Sequence, residues 1–584
     1  MCGILFINSK KKNLNKKQCL HAFKTLESRG PDKQLYEFLN NKNFLGNSIL
    51  SITGQVKKGS SLYNYKNNKL SFNGEIYNYK ELQNKFLFKK NEIKSDTDLL
   101  IRLNYTLGAK KAAKSLNGMF AYCLFNKKQN TASFITDPQG EKKLFIYNNQ
   151  DFFIASSTIL AIKKFLNINK INYDVLNDYF ATRHFLFFEK TIYKNLKVSR
   201  PGSIINYNIK NHRISKSFYF DCLDLIDKEK YNLFNKLQNS HITLLFERLI
   251  KKQLHLMIPE RKFASIFSGG VDSSVISYLV SKLKKPNAFA CLNHIKKDRT
   301  MSKTTILSKK LNSNFYKINI SEKKYFYTLR EVYKLLCHPF CTHDFVGRYL
   351  ISNFFKKKKC KVYFVGDGAD ELLGGYEKYL KTRWSNEHNL SPYTHYKESS
   401  DNKNSDLKKH LNLMWKKAYK KYKTFLNKKE SSIQASLFAD YFSQCVSVGN
   451  IGTDIMSGEN SVEPRTVFIQ KSIIEFALNL PLKHKINFKS LKKNLINKPI
   501  LKEIFIKYFG NKYLFKKQGF PGFPNESFKY LSQFDKKKIN KILNFFKNKN
   551  KNKNDKDFVW KILNIYYFAK YNNIKVDFEK IKIN

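Results

Sequence analysis

An α+β domain of layered β-sheets, followed by an α/β domain built on a doubly wound parallel sheet, is the fold this 584-residue sequence predicts. Short alternating or wholly apolar runs dominate the first part: Lys69–Phe72, Phe120–Phe125, Ala132–Thr136 and Phe152–Ala155. Runs of that length, with few long helical periods between them, suit stacked sheets. From about residue 236 apolar strands at Phe263–Phe267, Ala288–Leu292 and Val362–Val365 alternate with longer helical stretches, the pattern of a parallel sheet with ligands at the strand C-terminal ends. The expected domains are therefore 1–205 and 236–584, with 206–235 as a connector. The chain is long enough for two full cores.

Phe267-Ser268-Gly269-Gly270-Val271-Asp272-Ser273-Ser274 carries the most chemistry. It ends one apolar run (Phe263–Phe267) and opens another (Val275, Ile276, Tyr278, Leu279, Val280), which predicts strand, glycine turn, helix. Two glycines let backbone approach a ligand, and a helix N-terminus offers free N–H groups to anionic oxygens. Ser268 and Ser273 add donors, and Asp272 is placed to hold a divalent cation on phosphates. No lysine follows the glycines, so this is not a GxxxxGK[ST] loop. It resembles the pyrophosphate-binding loop of ATP pyrophosphatases.

A second glycine turn follows the Lys361–Phe364 run: Val365-Gly366-Asp367-Gly368-Ala369-Asp370-Glu371, then Leu372-Leu373-Gly374-Gly375-Tyr376. Carboxylates packed this closely repel one another unless a cation compensates them. Asp272 and Asp370 are the candidate Mg²⁺ ligands.

At the N-terminus, Met1-Cys2-Gly3 puts a cysteine where methionine removal would expose it. Its free α-amino group, with an unperturbed pKa of about 8, can then serve as the thiol's own base. Three further islands accompany it: Arg29-Gly30-Pro31-Asp32, Asn73-Gly74-Glu75-Ile76-Tyr77-Asn78 and Ser95-Asp96-Thr97-Asp98. An Asn-Gly pair at a strand end supplies a side-chain amide and a backbone N–H as an oxyanion hole. Asp96 is placed to grip an ammonium group.

With these residues in view, the chain resembles the glutamine-hydrolysing asparagine synthetases over nearly its whole length. Leu116–Ala121, Thr191-Ile192-Tyr193 leading to Pro201-Gly202, Ser461-Val462-Glu463-Pro464-Arg465 and Lys517-Gln518-Gly519-Phe520 add to the likeness. The resemblance implies an N-terminal-nucleophile glutaminase domain ahead of an ATP-dependent synthetase domain. It implies that Cys2 attacks the glutamine amide, Asn73 and Gly74 stabilise the oxyanion, and Glu75 and Asp96 bind the substrate. Ammonia then crosses inside the protein to a second site, where ATP has adenylated the side-chain carboxylate of aspartate. By the same likeness Ser268, Gly269, Gly270, Asp272, Ser273 and Gly366 cradle ATP, and Phe267, Cys291 and Val365 border it. Asp367 and Lys517 fall at catalytic positions.

The departures bear on substrate. The family's usual arginine is Ile49 here, in Leu45-Gly46-Asn47-Ser48-Ile49-Leu50-Ser51-Ile52, and isoleucine cannot pair with glutamine's α-carboxylate. The expected Gln-Pro is Ser60-Ser61, the stretch Thr136–Leu144 reads TDPQGEKKL, and a usual glutamate is Ser157. In the second half Val365 replaces a frequent serine, and Gln470 a frequent aspartate. The reading is therefore a weakened but retained glutaminase. The alternative acceptor is a sugar or other carboxylate of surface-polysaccharide synthesis.

Composition bounds the remainder. Hydrophobic residues at 42% and aromatics at 15% mark a globular chain. The formal charge of +61 raises a nucleic-acid reading, yet only 12 of the 107 basic residues are arginine. The lysines are scattered with Asn, Ile, Phe and Tyr, all AT-rich codons, whereas base readout relies on arginine. The expected partners are small molecules, with no specific nucleic acid and no membrane span, and a homodimer stays open. Nine unevenly spaced cysteines fit a reducing cytoplasm. Cys337-His338-Pro339-Phe340-Cys341-Thr342-His343 matches no standard zinc spacing and is read as a turn bordering the acceptor pocket. Ser385–His410 reads as a polar loop, Asn548–Asp557 as a solvated tract and Val559–Phe568 as a closing helix.

Overall fold

The structure, a computed structural model, describes all residues except 55–61, 90–92, 183–188, 295–300, 312, 341, 343, 377–378, 380–405, 489–495, 515–528, 548–555 and 582–584. Lys517 and most of the Ser385–His410 and Asn548–Asp557 segments therefore lie outside the described residues.

The strands of the first part are β1 (Gly3–Ser9), β2 (Lys33–Asn40), β3 (Asn43–Ile49), β4 (Tyr63–Tyr65), β5 (Asn68–Ile76), β6 (Gly118–Asn126), β7 (Thr131–Thr136), β8 (Phe145–Asn148), β9 (Phe152–Ser156), β10 (Leu196–Val198), β11 (Ser203–Asn208) and β12 (Ile214–Phe218). They form two six-stranded sheets, in the orders β10-β8-β9-β1-β3-β2 and β12-β11-β7-β6-β5-β4. Their paired neighbours run antiparallel. Alternate residues of β1 explain the layering. Ile4 and Phe6 face Phe134 and Phe153 between the sheets, while Leu5 and Ile7 turn outward onto helices. Both faces of β1 are thus covered, and its run of apolar residues needs no polar alternation. The second sheet extends to Phe218, so residues 206–218, expected as part of the connector, complete it instead.

The second part holds β13 (Phe263–Ile266), β14 (Ala288–His294), β15 (Phe315–Ile320), β16 (Val362–Val365) and β17 (Glu463–Thr466) in one parallel sheet, ordered β15-β14-β13-β16-β17. The chain leaves β13 in one direction through β14 and β15, then returns to build β16 and β17 on its other side. That reversal makes a crevice at the carboxyl ends of β13 and β16, where such sheets bind ligands. Both glycine turns open into it.

The two parts share apolar packing. Leu5 and Ile7 of β1 belong to the same cluster as Tyr333, Phe340, Ile451, Trp560 and Phe568 of the second part. The closing helix runs Lys556–Tyr571 and supplies several of those side chains. Among the described residues no helix is long and apolar enough to cross a membrane.

Two candidate active sites and the buried face between them

Cys2 sits at the start of β1, beside the strand end at which Gly3 pairs with Ser48 of β3. Its N–H donates to Asn73 Oδ1 at 3.0 Å, and Leu50 N–H donates to its Sγ at 3.4 Å. Burial pushes the thiol's pKa up, the neighbouring amino group opposing it. Burial also lowers the amino group of Met1 to about 5. Burial thus favours the uncharged forms of both the Met1 amine and the Cys2 thiol.

Asn73 uses its carbonyl on Cys2, while its Nδ2 is buried and has no hydrogen-bond partner among the described residues. A buried amide donor left unused is costly unless a ligand takes it. Gly74 follows with φ +151°, and a Cβ there would fall 2.7 Å from Phe120 Cα in the paired strand β6. Asp96 accepts from Ile76 N–H at 3.0 Å. Burial, reinforced by Glu75, holds its carboxyl well above the ordinary range. Glu75 takes a hydrogen bond from Thr53 and lies 3.4 Å from Arg465 Nη2, which comes from the other half. Ile49 packs on the apolar cluster between the sheets and offers no charge.

In the second crevice the turn after β13 leads into the helix Val271–Leu283. Gly269 has φ +79°, and a Cβ there would strike Thr304. Ser268 Oγ and Ser273 Oγ are 2.8 Å apart across the turn. After β16, Gly366 comes so close that a Cβ on it would lie 3.0 Å from the Asp272 carbonyl carbon, so the two loops touch backbone to backbone. Gly368, at φ +93°, starts the Ala369–Leu373 helix. Asp272 and Asp370 converge on one cation, Lys498 Nζ, at 2.6 and 2.7 Å. Those two carboxylates hold that lysine's pKa above its usual value despite burial. Asp367 pairs with Arg348 Nη1 at 2.6 Å, and Arg348 Nε also holds Asp344 at 2.6 Å.

The structure thus brings Ser268, Gly269, Gly270, Asp272, Ser273, Gly366, Asp367 and Asp370 to one crevice, and Cys2, Asn73, Gly74, Glu75 and Asp96 to another. Phe267, Cys291 and Val365 are buried in or beside the strands beneath the loops. The Phe267 ring packs among Phe289, Phe315 and Phe509. The turn at Cys337 is buried in the core. His338 Nε2 accepts from Ile192 N–H at 2.9 Å, and Tyr193 OH donates to Cys337 O at 2.6 Å, so the turn ties the halves together inside the core. Burial lowers His338 to about 3. Among the described residues no three or more His, Cys, Asp and Glu side chains gather as a metal site.

Four residues had no role of their own in the sequence reading: Lys498, Arg348, Arg465 and Glu141. Lys498 precedes Pro499, a helix-start signal, yet nothing separates it from the other lysines. Arg465 closes the Ser461–Arg465 motif, whereas Arg348 stands out only because arginine is scarce in this chain. Glu141 is buried between the halves and accepts from Gln470 Nε2 at 2.8 Å, with its pKa raised to about 8, chiefly by burial and then by Asp137.

Comparison with known proteins agrees with this division. The glutamine amidotransferase domain model matches residues 1–220, and the asparagine synthase model residues 244–564. A putative asparagine synthetase [glutamine-hydrolyzing] 2 of Methanocaldococcus jannaschii is 28% identical over 410 residues, covering 65% of this chain and 76% of the relative. The same organism's putative asparagine synthetase [glutamine-hydrolyzing] 1 is 24% identical over 510 residues, covering 83% and 82%. The asparagine synthetase [glutamine-hydrolyzing] of Gallus gallus is 26% identical over 403 residues, covering 65% and 68%.

Proposed function

This chain belongs to the asparagine synthase family, as a glutamine-dependent, ATP-using amidotransferase, and from that premise we propose that its acceptor is aspartate and its product asparagine. The observation that carries the two-site reading is Asn73, whose carbonyl is spent on Cys2 while its buried amide donor stays free beside the thiol. With Met1 removed, the Cys2 amine remains against Asn73 Oδ1 and takes the thiol proton as sulfur attacks the glutamine amide carbon. Asn73 Nδ2 and the Gly74 backbone receive the oxyanion. Asp96 and Glu75 hold the substrate ammonium, and the amine returns its proton to the departing ammonia.

In the second crevice the Ser268–Ser273 turn and the Val271–Leu283 helix N-terminus receive ATP phosphates. Asp272 and Asp370 fit a Mg²⁺ ion, which when bound would neutralise phosphate charge. Lys498 supplies a further positive charge between them. The aspartate side-chain carboxylate attacks the α-phosphorus, pyrophosphate leaves, and ammonia displaces AMP from the acyl adenylate. The relatives' names support aspartate. Gln470 directs its Nε2 to Glu141 and Thr466 O at the buried interface.

The test is ATP-dependent pyrophosphate release with aspartate plus glutamine, then aspartate plus ammonium, in wild type and Cys2→Ala. Asparagine in both reactions, with only the glutamine reaction lost in Cys2→Ala, is the expected result. No aspartate-dependent pyrophosphate would overturn aspartate and turn the search to sugar carboxylates.

A further inference from the structure

The helix Asn450–Gly458 lies in the second half, but one of its faces is spent on the first. Asn450, Asp454 and Gly458 recur every four residues and so share a face. Asn450 Nδ2 donates to Gln139 O and Gly140 O at 3.1 and 3.2 Å. Asp454 Oδ2 accepts from Arg29 Nη2 at 2.9 Å, and its Oδ1 lies 3.3 Å from Lys142 Nζ. Gly458 has no side chain where one would collide with Arg29, since a Cβ would come 2.8 Å from the guanidinium carbon. Arg29 in turn donates from Nε to the backbone carbonyl of Cys2 at 3.0 Å. All three charged side chains are essentially inaccessible, at 0%, 1% and 2% exposure for Arg29, Lys142 and Asp454.

We propose that Asp454, a residue of the ATP-using half, is a positioning residue for the Cys2 nucleophile, acting through Arg29. The inference rests on the glutamine reading given above. A guanidinium has a fixed planar fork, so its orientation at one end fixes it at the other. Asp454 takes Nη2 and the helix backbone takes Nη1, the Asp454 carbonyl lying 3.3 Å away. Nε is then left aimed at Cys2 O, and the peptide carrying the thiol is held in one place. Among the described residues the Nη groups of Arg29 are held by the second half alone, in the space left by the missing side chain of Gly458. A purely adhesive role is the competing account. The same interface contains an adhesive contact that does not reach Cys2, Ser28 Oγ to Glu459 Oε2 at 2.6 Å.

The experiment uses the full chain and compares Asp454→Asn with Glu459→Gln as the interface control. Three rates are read: glutamate release from glutamine, ammonium-supported pyrophosphate release, and alkylation of Cys2 by a glutamine-shaped diazoketone. Asp454→Asn is expected to lose about 10- to 100-fold in glutaminase kcat, as displaced reacting groups do, with alkylation slowed in parallel. Its ammonium-supported rate stays near wild type, and Glu459→Gln shows no such split. Wild-type glutaminase in Asp454→Asn, or equal loss of both activities, overturns the proposal. If Asp454→Asn does not fold, Gly458→Ala pushes on the guanidinium from one turn further along the same helix face and must give the same split. A wild-type chain that releases no glutamate at all overturns the glutamine reading itself, a result distinct from either.

Discussion

Lys498 Nζ donates to both carboxylate oxygens of Asp272, at 2.6 and 2.8 Å, and the same nitrogen holds Asp370 at 2.7 Å. An internal ammonium thus already stands between the two carboxylates assigned to Mg²⁺. It lowers the repulsion that the two glycine turns create by meeting, and it leaves outward carboxylate lone pairs for a cation arriving with ATP.

Replacing that ammonium exposes the repulsion. Lys498→Met is expected to unfold at lower temperature than wild type in the absence of divalent ions, and to regain more stability than wild type when Mg²⁺ is added. Thermal unfolding with and without MgCl₂ reads both. Equal Mg²⁺ shifts in the two proteins would remove the metal assignment of Asp272 and Asp370.

Asn73→Ala deletes the unused amide donor beside Cys2. Loss of one oxyanion donor costs about 10²–10³ in kcat, so glutamate release should fall by that factor. Ammonium-supported pyrophosphate release should not change, which a paired assay on one preparation checks.

Ile49→Arg restores the guanidinium that the family resemblance sets against the glutamine carboxylate. A charge-assisted contact of this kind is worth about a tenfold fall in KM for glutamine. The ammonium KM stays constant. An unchanged glutamine KM would mean that another group of this chain already holds the carboxylate.

Glu141 gives stability a pH signature. Its folded pKa of about 8 exceeds the ordinary 4.5, so between these values the folded chain keeps a proton that the unfolded chain has lost. That contribution is full below about 4.5 and declines as pH rises toward 8. Glu141→Gln removes the decline. The difference in Tm, variant minus wild type, should therefore grow from pH 5 to pH 8, and a constant difference would contradict the raised pKa.

The phosphate loops were legible because their chemistry is local. Glycine, serine and aspartate within eight positions declare a turn, a helix start and a ligand, and the sheet reversal at β13 and β16 then places both loops together. Cys2, Asn73 and Asp96 were legible for a similar reason, each being tied to a strand or helix end. What stayed hidden depends on long-range pairing. Lys498 meets Asp272 across 226 positions, and a lysine in a lysine-rich chain carries no mark of its burial. Arginine is different here. In a chain whose cations have drifted to lysine, Arg29, Arg348 and Arg465 each spread two or more partners over the separate nitrogens of a planar fork. Scarcity was the available signal for Arg348, while Arg29 and Arg465 also sat in motifs. In the Cys337 turn, the described ligand-like side chains of Cys337 and His338 are spent on backbone groups, a pairing across the halves that spacing alone does not show.

Gly458 limits how freely this protein can be recombined. A chimera that joins residues 1–220 to the second half of a relative inherits Arg29 and Lys142, and with them two interior cations that need a host. If the donor half carries alanine at the position of Gly458, or a neutral residue at that of Asp454, the guanidinium has no room or no counter-charge. The transplantable unit is therefore the catalytic domain of one half together with one helix face of the other.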